Sequence, residues 1–298
     1  MGLSRRTVLL LGVGTVLTGC SSPSSPASPP LPSSSPSSPS SGSLSSSPSS
    51  PSAPSSAAPV LPAVTRWHPS GNDISPACKA AAVRRIEALG NGRGRALQVI
   101  DAQYGGILST TASVLVVTRS WSLREGTVRS GGSTYDVRLS LRAGRWRVTQ
   151  LSPSRPGPVA RHSRAAKRVL TSERITLPPA AHRDVLSGRV HDSVLHAMLA
   201  LAASYRIGVS VVRSGHPIYV FGTDRLSDHP QGRAFDTWRI DGHPVVDPRT
   251  SRRLVVEYMH AAAAAGSYNV GGPYLLGGAP QWFSDNTHHD HVHAGFLT

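Results

Sequence analysis

The spacing of apolar residues predicts regular structure from residue 74 onward. Residues 74–89 carry apolar side chains at helical spacing after a Ser-Pro pair that marks a helix start. Runs rich in valine, leucine and aromatic residues then predict strands at 113–121, 135–141 and 145–151. A short connection containing glycine joins the last two runs, as in a β-hairpin. A helix followed by an antiparallel meander indicates a small α+β domain.

The C-terminal part of the chain alternates helices and strands in the same way. The predicted elements are, in order, a helix at 190–206, a strand at 209–212, a hairpin whose strands 233–240 and 244–246 flank Asp241-Gly242, a helix at 251–265 and a strand at 291–296. This order predicts a second α+β unit with an antiparallel sheet and flanking helices.

Composition divides the chain into five parts. Residues 1–20 resemble an export signal, and residues 21–63 are almost entirely Ser, Pro and Ala. Such a segment buries too little apolar surface to offset its ordering entropy, so we expect an extended tether. We expect the small α+β domain at 64–151, a Pro- and Arg-rich linker at 152–168, and a second domain at 169–298 that is long enough for its own core.

The first 20 residues predict export and a lipid anchor. Arg5 and Arg6 precede an apolar stretch that is too short to span a bilayer, as in a signal peptide. The arginine pair resembles a twin-arginine signal, and residues 17–20 resemble a bacterial lipobox that ends at Cys20. We therefore expect a diacylated Cys20 that holds the protein on the outer face of the cell membrane. An ordinary secretory signal is the alternative.

The charge balance narrows the possible partners. The chain has 31 Lys and Arg residues against 16 Asp and Glu, and its only lysines are Lys79 and Lys167. A GC-rich coding bias is one explanation of this excess, and attraction to an anionic envelope polymer or lipid is the other. Nucleic acid is disfavoured because no arginine run interleaves with stacking aromatic residues. With Cys20 acylated, Cys78 has no disulfide partner, and its place on the apolar side of the predicted helix indicates a buried residue.

Two polar stretches near the C-terminus carry the candidate chemistry, SDHPQGRAFD at 227–236 and HHDHVH at 288–293. Because alternate residues of a strand face the same side, Asp236 and His293 can meet across neighbouring strands. His229 can reach them from the preceding loop, where a glycine permits a sharp turn. Two imidazoles and one carboxylate form the ligand set of a catalytic zinc site, which keeps one position open for water.

The first stretch matches, at every fixed position, the S-x-H-x-x-G-x-A-x-D signature of the zinc D-alanyl-D-alanine peptidases. The pair His291-x-His293 is similar to the H-x-H of their superfamily, which includes penicillin-insensitive murein endopeptidases and the Hedgehog signalling domain. The resemblance covers roughly residues 190–298 and implies a fold of that type for the second domain. It also implies that zinc is bound by His229, Asp236 and His293.

The resemblance implies roles for further residues. An upstream arginine that steadies the substrate and the developing oxyanion corresponds to Arg213, and Ser227 would contact substrate or support a ligand. The peptidases carry a general-base glutamate three residues before the last ligand, where this chain has Asp290. The murein endopeptidases end in Asp-His-x-His without that glutamate, so Asp290 and His291 are both candidates for the base. From its place after a Ser-Gly pair, His216 is a candidate for the cleft wall.

Three functions are compatible with these residues. The leading hypothesis is a lipid-anchored zinc metallopeptidase, of carboxypeptidase, dipeptidase or endopeptidase type, that hydrolyses amide bonds in peptidoglycan stem peptides. The second is a zinc-binding module without activity that recognises cell-wall peptides or a protein partner, as the change from glutamate to Asp290 permits. The third is a structural lipoprotein in which the metal stabilises the fold. The first folded domain has no evident catalytic group, so we expect it to bind or to act as a spacer.

Overall fold

The computed structural model describes residues 59–90 and 92–298. The predicted signal peptide, the lipid-bearing Cys20 and residues 21–58 of the predicted tether lie outside them. Two β-sheets with helices packed on them make up the described part, so the α+β class with antiparallel sheets is confirmed. None of the described helices is both long enough and apolar enough to cross a membrane.

Residues 59–153 form a helix-and-meander module. Its helix α1, Pro76–Glu87, has proline in the first turn and packs its apolar side on the sheet, where Cys78, Ala82 and Ile86 are fully buried. The strands are β1 (Arg95–Ile107), β2 (Thr111–Arg124), β3 (Thr127–Gly131), β4 (Thr134–Arg142) and β5 (Arg145–Pro153). They pair antiparallel in the order β1-β2-β4-β5, with β3 beside β2.

Helix α1 and strands β2, β4 and β5 confirm the sequence predictions. Cys78 is a buried free thiol, and burial raises its pKa to about 12. The apolar pattern does not predict strand β1, because polar residues such as Asp101 and Gln103 interrupt it. Residues 101–106 of this strand are nevertheless all buried. Strand β1 therefore carries polar side chains into the interior of the protein.

Residues 164–298 form the C-terminal module. Its helices are α2 (Arg164–Thr171), α3 (Pro179–Leu186), α4 (Asp192–Ser204) and α5 (Arg252–Ala264). Its strands are β6 (Ile175–Thr176), β7 (Ile207–Val211), β8 (Ala234–Ile240), β9 (His243–Pro244), β10 (Asn269–Gly271), β11 (Trp282–Phe283) and β12 (Val292–Gly295). The strand order is β11-β10-β12-β8-β7-β6, with β9 beside β8. Strand β8 pairs antiparallel with β7 and β12, whereas the short edge strands β6 and β11 pair in parallel.

Helices α4 and α5 and strands β7, β8 and β12 confirm the predictions for this module. Asp241 and Gly242 adopt the left-handed conformation of the predicted hairpin turn. Helix α2 begins inside the segment predicted to be a linker, because Ser163 caps it by accepting a hydrogen bond from the backbone N–H of Ala166 at 3.1 Å. The pattern predicts neither α3 nor the short strands β6, β10 and β11.

The two modules pack against each other. Leu115 and Val117 of β2 and Val211 of β7 form one buried apolar cluster. The hydroxyl of Ser70 donates a hydrogen bond to the carbonyl oxygen of Val246 at 3.0 Å. Residues 59–298 therefore lie in one compact unit. The division into two folded domains around a linker at 152–168 stays a prediction.

Asp101 of β1 predicts a pH-dependent stability. Its carboxylate is buried, its Oδ2 has no hydrogen-bond partner in the described part of the chain, and burial raises its pKa from 3.8 to about 7. The folded state therefore keeps a proton that the unfolded state has already released. The stability that this proton confers is fully present below about pH 4 and is lost as the pH rises to about 7. At ~1.4 kcal/mol per pH unit, the loss reaches about 4 kcal/mol.

We expect Asp101→Asn to be more stable than the wild type by a margin that grows between about pH 4 and pH 7 and then levels off. Thermal unfolding followed by circular dichroism across this range measures the margin. Asp224→Asn, in an exposed loop, is the control and should leave the pH dependence unchanged. A margin that is the same at both ends of the range would show that burial does not raise the pKa of Asp101.

Candidate metal centre

The pairing of β8 with β12 places two of the candidate ligands opposite each other. His293 pairs directly with Asp236 in this antiparallel register, as the alternation of strand residues predicts. His229 enters from the loop before β8, which turns at Gly232 with φ +75°. A side chain at this position would overlap the carbonyl oxygen of Arg189, so the turn requires glycine.

Three atoms of these side chains converge. His229 Nε2 lies 3.1 Å from Asp236 Oδ1 and 3.1 Å from His293 Nδ1, and His293 Nδ1 lies 3.0 Å from Asp236 Oδ1. All three residues are buried. Nitrogen and oxygen ligands about 2.1 Å from a tetrahedral metal ion lie about 3.4 Å from one another. The observed separations are therefore close to those of a metal site.

The hydrogen bonds of His229 indicate that the cluster requires a cation. Its Nδ1 lies 2.8 Å from the backbone carbonyl oxygen of Val212, which can only accept, so Nδ1 carries the proton. In the neutral imidazole Nε2 then has a lone pair, and this lone pair faces the carboxylate oxygen of Asp236. Two lone pairs at 3.1 Å repel each other unless a proton or a metal ion lies between them. The donor set fits a metal ion.

The acid–base state of the cluster suits metal binding. Burial lowers the pKa of His293 to about 4, against the opposing effect of Asp236. Burial alone would raise the pKa of Asp236, but His229 and His291 outweigh it and hold this pKa well below its usual value. A neutral imidazole beside an ionised carboxylate is the form in which these side chains bind metals.

A second group shares two of these residues. His216, His229 and Asp236 also lie close enough together to hold an ion. The ring of His216 stacks on that of His229, with centroids 4.2 Å apart and planes inclined by 18°. Imidazole binds a metal in the plane of its ring, so two stacked, nearly parallel rings converge poorly on one ion. The rings of His229 and His293 are inclined by 60°, which favours His293 as the third ligand.

Ser227 supports the loop that carries His229. Its Oγ accepts a hydrogen bond from the backbone N–H of His229 at 3.4 Å and lies 3.3 Å from His216 Nδ1. His216 lines the cleft, as predicted, and so does Ser227. The contact of Ser227 with substrate stays a prediction.

His229, Asp236 and His293, the candidate metal-binding group, open into a cleft of about 630 Å³, a size that suits a ligand of a few residues. Side chains from both modules line it, including Tyr104, Leu108, Phe221, Arg225, Phe283 and His288. His288 holds its Nδ1 2.7 Å from Asp285 Oδ1. The cleft is therefore aromatic on several sides and carries charges of both signs.

The two candidate bases are hydrogen-bonded to each other. His291 Nδ1 donates to Asp290 Oδ1 at 2.6 Å, and His291 Nε2 lies 3.8 Å from Asp236 Oδ1. His291 lines the cleft, whereas Asp290 lines a separate cavity. Burial would lower the pKa of His291, but the carboxylates of Asp236 and Asp290 outweigh it and raise this pKa. His291 thus presents one nitrogen to the metal-binding group and the other to Asp290.

Lys79 of α1 completes the surroundings of Asp290. Its Nζ lies 2.7 Å from Asp290 Oδ2 and also contacts Asp73 Oδ1. The backbone N–H of Tyr104 donates to Asp290 Oδ2 at 3.1 Å. Burial would raise the pKa of Asp290, but Lys79 outweighs it and holds this pKa below its usual range. Asp73, His289 and Asp290 lie close enough together to hold an ion, but the Lys79 ammonium already pairs with both carboxylates.

Gln103 of β1 contacts the metal-binding group itself. Its Nε2 donates to Asp236 Oδ2 at 2.6 Å, and its Oε1 accepts from the hydroxyl of Ser210. Sequence reasoning places no site residue in this module and so misses Gln103 and Lys79. The available signal is a lysine on the buried side of α1 in a chain that otherwise uses arginine almost everywhere.

Arg213 makes its polar contacts with Asp184 and Pro156. Its Nη1 is 3.6 Å from Asp184 Oδ1 and donates to the carbonyl oxygen of Pro156 at 3.2 Å. The side chain lines a neighbouring cavity that shares His216 with the cleft, and Arg225 lines the cleft itself. The contact of Arg213 with substrate stays a prediction.

No protein-family model, curated protein or solved structure matches this chain. The convergence of His229, Asp236 and His293 beside a cleft is therefore the firmest indication of function.

Proposed function

We propose that this protein is an exported, lipid-anchored zinc metallopeptidase that hydrolyses amide bonds in peptidoglycan stem peptides. The proposal rests on the buried group of His229, Asp236 and His293, whose donor atoms lie within 3.1 Å of one another beside a cleft. Two imidazoles and one carboxylate leave a coordination position open, as catalytic zinc sites do. The resemblance of residues 227–236 to the zinc D-alanyl-D-alanine peptidases supports the substrate class and a Hedgehog/DD-peptidase-type fold for the C-terminal module.

The side chains around the cleft have separate tasks in this proposal. Zinc, when bound, polarises the scissile carbonyl group and lowers the pKa of a water molecule. His229, Asp236 and His293 hold the ion, and the hydrogen bond from His229 Nδ1 to Val212 keeps that ring oriented. Arg225, at the edge of the cleft, is placed to pair with a carboxylate of the stem peptide.

His291 is the better candidate for the general base. Asp290 uses both carboxylate oxygens, Oδ1 with His291 and Oδ2 with Lys79 and the N–H of Tyr104. A fully hydrogen-bonded carboxylate with a depressed pKa is a weak proton acceptor. His291 Nδ1 carries a proton and donates a hydrogen bond to Asp290. Nε2 is therefore free to accept a proton from water and to return it to the leaving amine.

A zinc-binding module without activity, which recognises cell-wall peptides or a protein partner, is the second candidate. The observation that favours it is that Asp290 is already bound by Lys79 and His291. At the position where the zinc peptidases carry their glutamate base, this chain has a buried carboxylate paired with Lys79.

Digestion of purified peptidoglycan tests both candidates. The full chain is loaded with zinc and incubated with muropeptides, the products are read by mass spectrometry, and a chelator-treated sample is the control. We expect the chain to bind about one zinc ion. We also expect it to release D-alanine or to cut cross-links, and both reactions should stop in the chelator-treated sample. Zinc binding without any hydrolysis product would exclude the peptidase and support the binding module. A chain that binds no zinc would overturn both candidates.

A further inference from the structure

We infer that the helix-and-meander module is a working part of the metal site, and that Lys79 and Gln103 are positioning residues for the reaction. The kinetic consequences of this inference rest on the proposed peptidase activity. Two contacts carry it. Gln103 binds the carboxylate of Asp236 in the metal-binding group, and Lys79 binds Asp290, the hydrogen-bond partner of His291. The module thus supports both halves of the site.

Lys79 lies where a lysine is costly. The side chains of Lys79, Asp73 and Asp290 are each only 1 % exposed. Burying an ion costs several kcal/mol, which pairing returns only in part, and apolar residues of similar volume often give equal or greater stability. The stability of the fold therefore gives little reason for this group of charges, whereas a requirement for an oriented Asp290 gives a direct one.

The choice of lysine also fits a positioning role. The other lysine of the chain, Lys167, is exposed. An ammonium group is a compact charge that fits between two carboxylate oxygens, whereas the planar guanidinium fork of arginine needs a wider space. This chain uses arginine for nearly every other cation, yet a lysine lies between Asp73 and Asp290.

The contacts of Asp290 hold its carboxylate in one orientation. Lys79 Nζ and the backbone N–H of Tyr104 bind Oδ2 at 2.7 and 3.1 Å, so Oδ1 faces His291 Nδ1 at 2.6 Å. This contact sets the orientation of the His291 ring and the nitrogen that carries its proton. Loss of Lys79 removes the charged anchor of Oδ2. The His291 ring should then be less firmly oriented, while the metal-binding group keeps its own hydrogen bonds.

Gln103 acts on the other half of the site. Because its Oε1 accepts from Ser210, its Nε2 is directed at Asp236 Oδ2, which leaves Asp236 Oδ1 to face His229 and His293. Partners that orient a metal-binding carboxylate in this way typically change metal affinity or activity 10–100-fold. Lys79 should therefore affect turnover, and Gln103 should affect the affinity for zinc.

A charge-balanced pair of substitutions tests Lys79. Asp73→Asn combined with Lys79→Met removes one buried anion and one buried cation together. Asp73→Asn alone measures the part of the effect that is due to the loss of Asp73. Lys167→Met is the matched control. In the zinc-loaded full chain, we expect the paired variant to lower kcat on muropeptides about 10–100-fold. KM, zinc content and Tm should stay close to those of the control.

A spectroscopic measurement separates this inference from the proposed function. The ring Nδ1 proton of His291, observed by NMR with ¹⁵N-labelled histidine and assigned with His291→Ala, should shift in the paired variant and not in Lys167→Met. If the resonance of this proton shifts in the paired variant but the wild type shows no hydrolysis, the peptidase function would be overturned and the positioning role of Lys79 would stand. An unchanged proton and an unchanged kcat in the folded paired variant would overturn the role of Lys79.

Zinc affinity tests Gln103. We expect Gln103→Leu to bind zinc at least about tenfold more weakly than the wild type in competition with a chromophoric chelator. Gln150→Leu, on the exposed strand β5, is the matched control and should bind zinc as the wild type does. Equal affinity in Gln103→Leu and the wild type would overturn the role of Gln103, whether or not the protein hydrolyses peptides.

Discussion

Replacing His229 with alanine should remove metal binding and hydrolysis together. Its Nε2 lies 3.1 Å from the donor atoms of both Asp236 and His293. Without it one imidazole and one carboxylate remain, which is fewer than the three protein ligands of a catalytic zinc site. We expect activity on muropeptides to fall by more than about 100-fold, beyond the range typical of supporting residues. Zinc content, measured by inductively coupled plasma mass spectrometry, should fall to background.

The matched control is His196→Ala. This residue is an exposed histidine of α4, so its loss removes an imidazole without touching the cleft. It should keep its zinc and its activity. A His229→Ala variant that still binds one zinc per chain would contradict the ligand assignment and point to the group of Asp73, His289 and Asp290, because the His216 group also contains His229. Loss of zinc from both variants would indicate binding to surface histidines.

The metal-binding group is the part of the site that the sequence predicts best. Side chains of a strand alternate between two faces, so the facing of Asp236 and His293 follows once their strands are neighbours. The need for glycine at position 232 is also local, because its backbone has φ +75°, which favours glycine. Local rules of this kind also predict helices α1, α4 and α5.

The contribution of the helix-and-meander module cannot be predicted in the same way. Gln103 and Asp236 are 133 residues apart in the chain. Their meeting depends on how the two modules pack, and that packing uses apolar residues such as Val117 and Val211, which carry no directional signal. The polar residues of β1 look like breaks in an apolar strand. Gln103 is polar where the strand meets Asp236, to which it donates a hydrogen bond.

The contacts of Arg213 are a second feature that cannot be predicted from the sequence. The carboxylate of Asp184, which is fully buried on α3, accepts hydrogen bonds from the backbone N–H groups of Arg213 and Ser214 at 3.1 and 2.8 Å. This acceptor holds the segment after β7 and lies within 3.6 Å of the guanidinium. Because the apolar pattern does not predict α3, the sequence gives no reason to expect that partner.

Replacing His291 with alanine should abolish turnover and leave zinc bound. In the proposed mechanism His291 Nε2 accepts the proton of the attacking water, and a general base of this kind contributes about 10²–10⁴-fold to the rate. The ring is not one of the three ligands, so the variant should keep about one zinc per chain. The rate of muropeptide cleavage, followed by mass spectrometry, and the zinc content measure the two effects separately. Loss of zinc would make His291 a ligand instead.

Asp290→Asn decides between the two candidate bases. The amide keeps an oxygen that can accept from His291 Nδ1 but loses the charge that pairs with Lys79. If Asp290 only orients His291, the rate should fall about 10–100-fold, less than in His291→Ala. If Asp290 takes the proton itself, Asp290→Asn should be the more damaging change, because an amide has no basic oxygen. A larger loss in Asp290→Asn than in His291→Ala, with zinc retained in both, would therefore make the carboxylate the base.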